Sequence, residues 1–113
     1  MSADLDLVRG TLDLFVLKAL TWGPMHGLGV ARWIDRITES GLQIEEGALY
    51  PALHRMEQRN WIAGEWGITE NSRRARYYKL TPQGRRAYAS QLSTWNRYTS
   101  IAALILSAQG AGA

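Results

Sequence analysis

Three observations in this chain of 113 residues predict a mainly α-helical fold with one small β-hairpin. Apolar residues recur at helical spacing in three segments before residue 60, the period changes to alternation between residues 61 and 80, and a long helical pattern then begins at Thr81. Three helices, a hairpin and a long final helix are the order of a winged helix-turn-helix with a C-terminal dimerisation helix. The expected division is residues 1–81 for the winged unit and 82–113 for the dimerisation helix and a short flexible tail.

The first helix begins near Thr11, with Leu12, Phe15, Val16, Ala19 and Leu20 on one stripe. Leu14 and Leu17 fall off that stripe, which suggests a second buried contact, with a partner chain. Gly23 and Pro24 stop the helix, because proline cannot continue one. Residues 27–39 read as a second helix with Val30, Ile34 and Ile37 inward, ended by Gly41. A third runs from about Glu46 to Asn60 with Leu49, Leu53 and Met56 inward, and Pro51 stands in its first or second turn.

After Asn60, Ile62 and Trp66 share one face of an extended segment, and Tyr78 and Leu80 share one face of another. The polar stretch Gly67–Arg74 between them reads as the hairpin tip. Thr81 caps the last helix and Pro82 opens it, while Gly84 stands where a capping box requires Glu or Gln. Along it Tyr88, Leu92, Trp95, Thr99, Ala102 and Leu106 recur at heptad spacing. A helix of this length exceeds what so small a unit covers, so the seam, with Leu14 and Leu17, is expected to face a second copy. The remaining tryptophans, Trp22, Trp33, Trp61 and Trp66, are expected in the core with Tyr78.

Composition narrows the function. The net charge of +3 conceals a polarity: residues 1–70 hold six Lys or Arg against ten Asp or Glu, and residues 71–113 hold seven basic residues and no acid. A surface of that kind suits a polyanion. No apolar run approaches the roughly 18 residues of a membrane span, the alternating start Met1–Val8 lacks the pattern of a secretory signal, and there is no cysteine. A cytoplasmic protein without membrane attachment is expected. The two histidines, His26 and His54, are far apart and form no metal-ligand spacing, and no nucleophile, base or phosphate loop is arranged for catalysis. The expectation is therefore no enzyme activity, no metal and no cofactor.

A helix-turn-helix places the second helix of the pair in the major groove of duplex DNA. The side chains of the third helix that turn away from the core are Ala48, Tyr50, Pro51, His54 and Arg55, and Arg55 suits either a guanine or a phosphate. Arg73, Arg74 and Arg76 at the hairpin are the second group of candidate DNA contacts. Trp95, at the centre of the heptad seam, either packs against its symmetry mate or leaves a slot, bordered by Leu92 and Thr99, for a flat aromatic small molecule. The alternative is a ligand-sensing or protein-interaction module that keeps the fold without specific DNA binding.

Gly10-Thr11-Leu12-Asp13-Leu14, His26-Gly27, Gly47-Ala48-Leu49-Tyr50-Pro51-Ala52-Leu53-His54-Arg55-Met56-Glu57 and Arg73-Arg74-Ala75-Arg76-Tyr77-Tyr78-Lys79-Leu80-Thr81-Pro82-Gln83-Gly84 together resemble the PadR family of bacterial regulators over residues 9–98. Where that family often has an aromatic after His26-Gly27, this chain has Leu28. The resemblance implies a winged DNA-binding domain, a homodimer joined by a single C-terminal helix, and repression relieved by a small ligand or other signal. It also implies DNA contacts at Tyr50 and its neighbours and at the wing arginines, and places Trp95 where some members line a central pore.

Overall fold

A computed structural model describes residues 10–112; the alternating start Met1–Val8 and the last residue of the tail lie outside the described residues. Four helices, α1 (Thr11–Leu20), α2 (Gly27–Ile37), α3 (Glu46–Gln58) and α4 (Pro82–Leu106), surround a small sheet of β1 (Met25–His26), β2 (Ile62–Ile68) and β3 (Arg74–Leu80). The sheet is antiparallel in the order β1-β3-β2. This is the winged helix-turn-helix expected. The strand β1 was not legible, because two residues cannot display a period.

The core sits around α1, which packs against α2, α3, β3 and α4. Both its flanks are used: Val16, Leu17, Ala19 and Leu20 are sealed, Leu14 is buried, and Leu12 and Phe15 lie half-buried against the cluster. Leu14 and Leu17, expected at a contact with a partner, are therefore core residues of the protomer, because α4 of the same chain folds back along α1. Tyr88 likewise packs against this core, so the first part of the heptad seam already has an intramolecular contact.

Helix ends are set by local hydrogen bonds. The α2 helix stops at Ile37, two residues early, where the Ser40 N–H donates to Asp35 O (2.8 Å) and the Glu39 N–H to Arg36 O (3.1 Å). Glu39 (φ 50°) and Ser40 (φ 64°) take the left-handed positions instead of Gly41. Ile37, expected inward, is 55% exposed because the last turn overruns the core. At the end of α3, Asn60 (φ 61°) makes the same turn, with the Trp61 N–H donating to Met56 O (3.0 Å). Pro51 is the sixth residue of α3, inside the helix, so the carbonyl of Gly47 has no helical donor.

The ladder of β2 and β3 runs from Ile62 opposite Leu80 to Ile68 opposite Arg74, longer than the alternation suggested. Ile62, Tyr78 and Leu80 enter the core at its base. Further out the same face leaves the core, so Trp66, expected inside, is 59% exposed. Trp22 is also exposed, with Lys18 Nζ 4.8 Å above its ring. At the tip the Thr69 N–H donates to Arg73 O (2.8 Å), and Ser72 (φ 59°) completes the turn.

Thr81 caps α4: its Oγ1 accepts from the Gly84 N–H (2.9 Å) and donates back to the Asn60 and Trp61 carbonyls. A Cβ on Gly84 would stand 1.8 Å from Trp61 O. The capping box is thus incomplete because only glycine fits where the first turn of α4 presses on the backbone before β2. None of the described helices is long and apolar enough to cross a membrane. Gly84→Ala is expected to lower the unfolding free energy by about 3 kcal/mol through overpacking against backbone, read as a lower midpoint in urea; an unchanged midpoint would show that the two segments separate freely.

Candidate nucleic-acid interface

Because Leu49, Ala52, Leu53 and Met56 turn α3 inward, its opposite side carries Ala48, Tyr50, Pro51, His54 and Arg55, all exposed. Tyr50 leans toward the start of α2, where a Cβ on Gly27 would lie 3.0 Å from its ring. Glu46 occupies the first turn of α3, where negative charge is favoured by the helix dipole.

The first turn of α2, Tyr50 and the wing enclose a cleft of about 580 Å³. Arg32, Arg73, Arg74 and Arg76 line it, against the single carboxylate of Glu70. The cleft joins residues from two expected groups, Tyr50 on α3 and the wing arginines, and adds Arg32 of α2, which was not among the expected contacts. Ala48, Pro51, His54 and Arg55 do not line it.

The cations are not equivalent. Arg55 Nη2 lies 3.3 Å from Asp13 Oδ1 on α1, its side chain 51% exposed. Arg76 Nη2 hydrogen-bonds Glu57 Oε2 near the end of α3, and this bond raises the guanidinium pKa above its ordinary value. Arg74 instead stacks over the ring of Trp66, 4.6 Å from its centroid. Burial pushes the phenol of Tyr78, beneath this group, upward. Sequence reasoning missed Asp13, Glu57 and Trp66 as partners; all three pairings depend on tertiary approach, and no local spacing reports them.

His26 has a structural task. Its Nδ1 accepts from the Gly29 N–H (3.1 Å), capping α2, and its ring meets Tyr77 edge-on at 5.3 Å between centroids. Among the described residues no group of three or more His, Cys, Asp or Glu is placed to hold a metal ion.

Residues 16–90, from α1 into α4, match the model of the Transcriptional regulator PadR-like family. The chain belongs to this family. A curated relative, the Transcriptional regulator Rv3488 of Mycobacterium tuberculosis, is 30% identical over 79 residues, covering 70% of each chain. An uncharacterised protein X of Lysinibacillus sphaericus is 30% identical over 87 residues, covering 77% of this chain and 79% of that one. Among solved structures, a transcriptional regulator from Clostridium thermocellum superposes with a TM-score of 0.78 at 29% identity, covering 85% of this chain and 93% of its own. A PadR family transcriptional regulator from Eggerthella lenta gives 0.78 at 28% identity, covering 96% and 92%.

This PadR-like regulator has a second, smaller concavity, of about 310 Å³, between α1 and α4. Leu14, Gln91, Thr94, Trp95 and Tyr98 contribute to its lining. Of the three residues expected around a flat ligand, Trp95 lines it, whereas Leu92 and Thr99 do not.

The cap on α2 sets the position of the cleft floor. His26→Ala should lower stability by about 1 kcal/mol and His26→Asn by much less, since asparagine restores a capping oxygen. Chemical denaturation of the three proteins checks this, and equal losses in both variants would assign the effect to the Tyr77 contact.

Proposed function

We propose that this PadR-like regulator binds duplex DNA as a homodimer, represses transcription by occupying a palindromic operator, and is released by a small ligand or other signal. The observation that carries the reading is the arginine-lined cleft, where the exposed start of the third helix and the wing converge on one side of the protomer. A backbone phosphate is the group that such a cluster attracts, and the adjoining face of α3 is free to meet base edges. In the pair of Arg55 with Asp13 the guanidinium is half exposed while the carboxylate is mostly shielded, so a guanine or phosphate would reach Arg55 in competition with Asp13.

Residues 1–81 would form the reading unit and 82–113 the pairing unit. The radius of gyration, 16.5 Å, exceeds the roughly 13 Å of a compact chain this long. Much of α4 therefore projects, and it carries Tyr98, Ile101, Leu104, Ile105 and Leu106 exposed. Thr99 and Ala102 continue the seam beside them. Such an apolar surface, on the part of α4 that no other described element covers, is what a two-fold partner would bury. In that assembly the concavity at Trp95 would hold a flat aromatic effector. The reading is of a non-catalytic, cytoplasmic protein.

Three outcomes are expected. Sedimentation should give the mass of two 12.7 kDa chains, and Ile105→Asp should shift it to one; a monomeric wild type at micromolar concentration contradicts the dimer. The logarithm of the affinity for duplex DNA should fall linearly with log salt, and replacing Arg73 and Arg74 by alanine should reduce that slope by about two units; an unaltered slope removes the wing from the interface. Trp95→Ala should abolish the release of DNA by planar aromatic compounds, and a release identical to wild type excludes that site.

A further inference from the structure

The wing arginines stand in three different settings. Arg73 is exposed at the tip, and Arg74 lies stacked on Trp66. Arg76 is turned back toward the body of the protein. Its guanidinium crosses Gly64 on the neighbouring strand, where a Cβ would fall 2.5 Å from Nε, and ends on the carboxylate of Glu57. The ring of Trp66 flanks it at 5.9 Å, and Tyr78 lies buried two pairs further in on the same face. Gly64 is therefore the residue that lets this side chain cross the hairpin.

Glu57 is the last residue but one of α3. A carboxylate there faces the negative end of the helix dipole, an unfavourable place unless a cation meets it. Arg76 is that cation, and a planar fork bound to a carboxylate fixes direction as well as distance. Beyond Tyr78 the hairpin leaves the core, and this bond joins its outer half to the helix that carries Tyr50 and His54. A guanidinium already committed to a carboxylate is a poor phosphate ligand, since binding DNA would strand Glu57 beside the phosphates.

We propose that Arg76 is a positioning residue, bracing the wing against the end of α3 through Glu57 across Gly64, and that the wing's DNA-contacting charges are Arg73 and Arg74. The DNA half of this rests on the function proposed above; the brace itself does not. The brace sets the height of the wing relative to the reading helix, so the two can meet one duplex without adjustment. Trp66 holds the Arg74 guanidinium on the outer part of the same face.

The experiment compares wild type, Glu57→Ala, Arg76→Ala, Arg74→Ala and the exchange E57R/R76E. Amide hydrogen exchange on the free protein comes first. Glu57→Ala and Arg76→Ala should each accelerate exchange in β2 and β3 several-fold, the exchange variant should recover most of the protection, and Arg74→Ala should leave it unchanged. Wild-type protection in Glu57→Ala overturns the brace. Binding is then measured on a duplex selected by the wild type from random-sequence DNA, across a salt series. Glu57→Ala should bind about tenfold more weakly with the wild-type salt slope, whereas Arg74→Ala should lose about one unit of slope. If Arg76 held a phosphate directly, removing Glu57 would strengthen binding and Arg76→Ala would lower the slope, and either result overturns the assignment. A wild type that selects no sequence refutes the operator reading alone, and the exchange data still decide the brace.

Discussion

The structure depends on α1 being buried on both flanks. A ten-residue helix is too short to be stable alone, so its geometry is imposed by what packs on it. Val16, Leu17, Ala19 and Leu20 are sealed by contacts with α2, α3, β3 and α4 together. Each fully buried leucine or valine contributes about 1.5–3 kcal/mol, and here those contributions come from four neighbours at once. Loosening any neighbour therefore exposes the same helix, which ties α3, the wing base and α4 into one cooperative body.

From that body the charged face follows as a matter of exclusion. The inward side of α3 is consumed by Leu49, Leu53 and Met56, so its polar residues have only one direction left. The hairpin contributes Ile62, Tyr78 and Leu80 to the core at its base, and the continuing alternation brings Trp66, Arg74 and Arg76 onto the same face outside it. Arginine beside tryptophan there is consistent with both side chains' chemistry: the aromatic surface is covered and the guanidinium keeps its solvent-facing donors. The arrangement separates Arg76, held on the protein's own Glu57, from Arg73 and Arg74, which stay exposed.

Much of the backbone was legible because its signals are local. The caps at Thr81 and the Pro82 start, the break at Gly23-Pro24 and the heptad spacing of α4 are written within a few residues of one another. What failed required knowledge of distance across the fold. Trp66 and Ile37 match the period of their elements, but the period does not say where the core ends. Leu14 and Leu17 were correctly seen as a second apolar flank and assigned to a partner, because the sequence does not show that α4 returns along α1. The wing arginines read as one cluster, since nothing near Arg76 in sequence distinguishes it from Arg74; Glu57, nineteen positions away, makes the difference. In the candidate interface, residue types were therefore easier to read than their assignments.

The junction between β3 and α4 links the two ends of the molecule mechanically. Thr81 accepts from Gly84 and donates toward the carbonyls of Asn60 and Trp61, while Gly84 lies in direct contact with the Trp61 carbonyl. The end of α3, the beginning of β2 and the first turn of α4 thus share one hydrogen-bonded knot. A glycine at that contact leaves no side chain to act as a compliant spacer, so the first turn of α4 cannot rotate without moving backbone at the wing base. The far end of α4 is a long lever, its exposed leucines and isoleucines remote from the knot. The contact at Gly84 thus fixes the angle at which α4 leaves the wing base, and with it the direction in which the exposed apolar end of the helix projects.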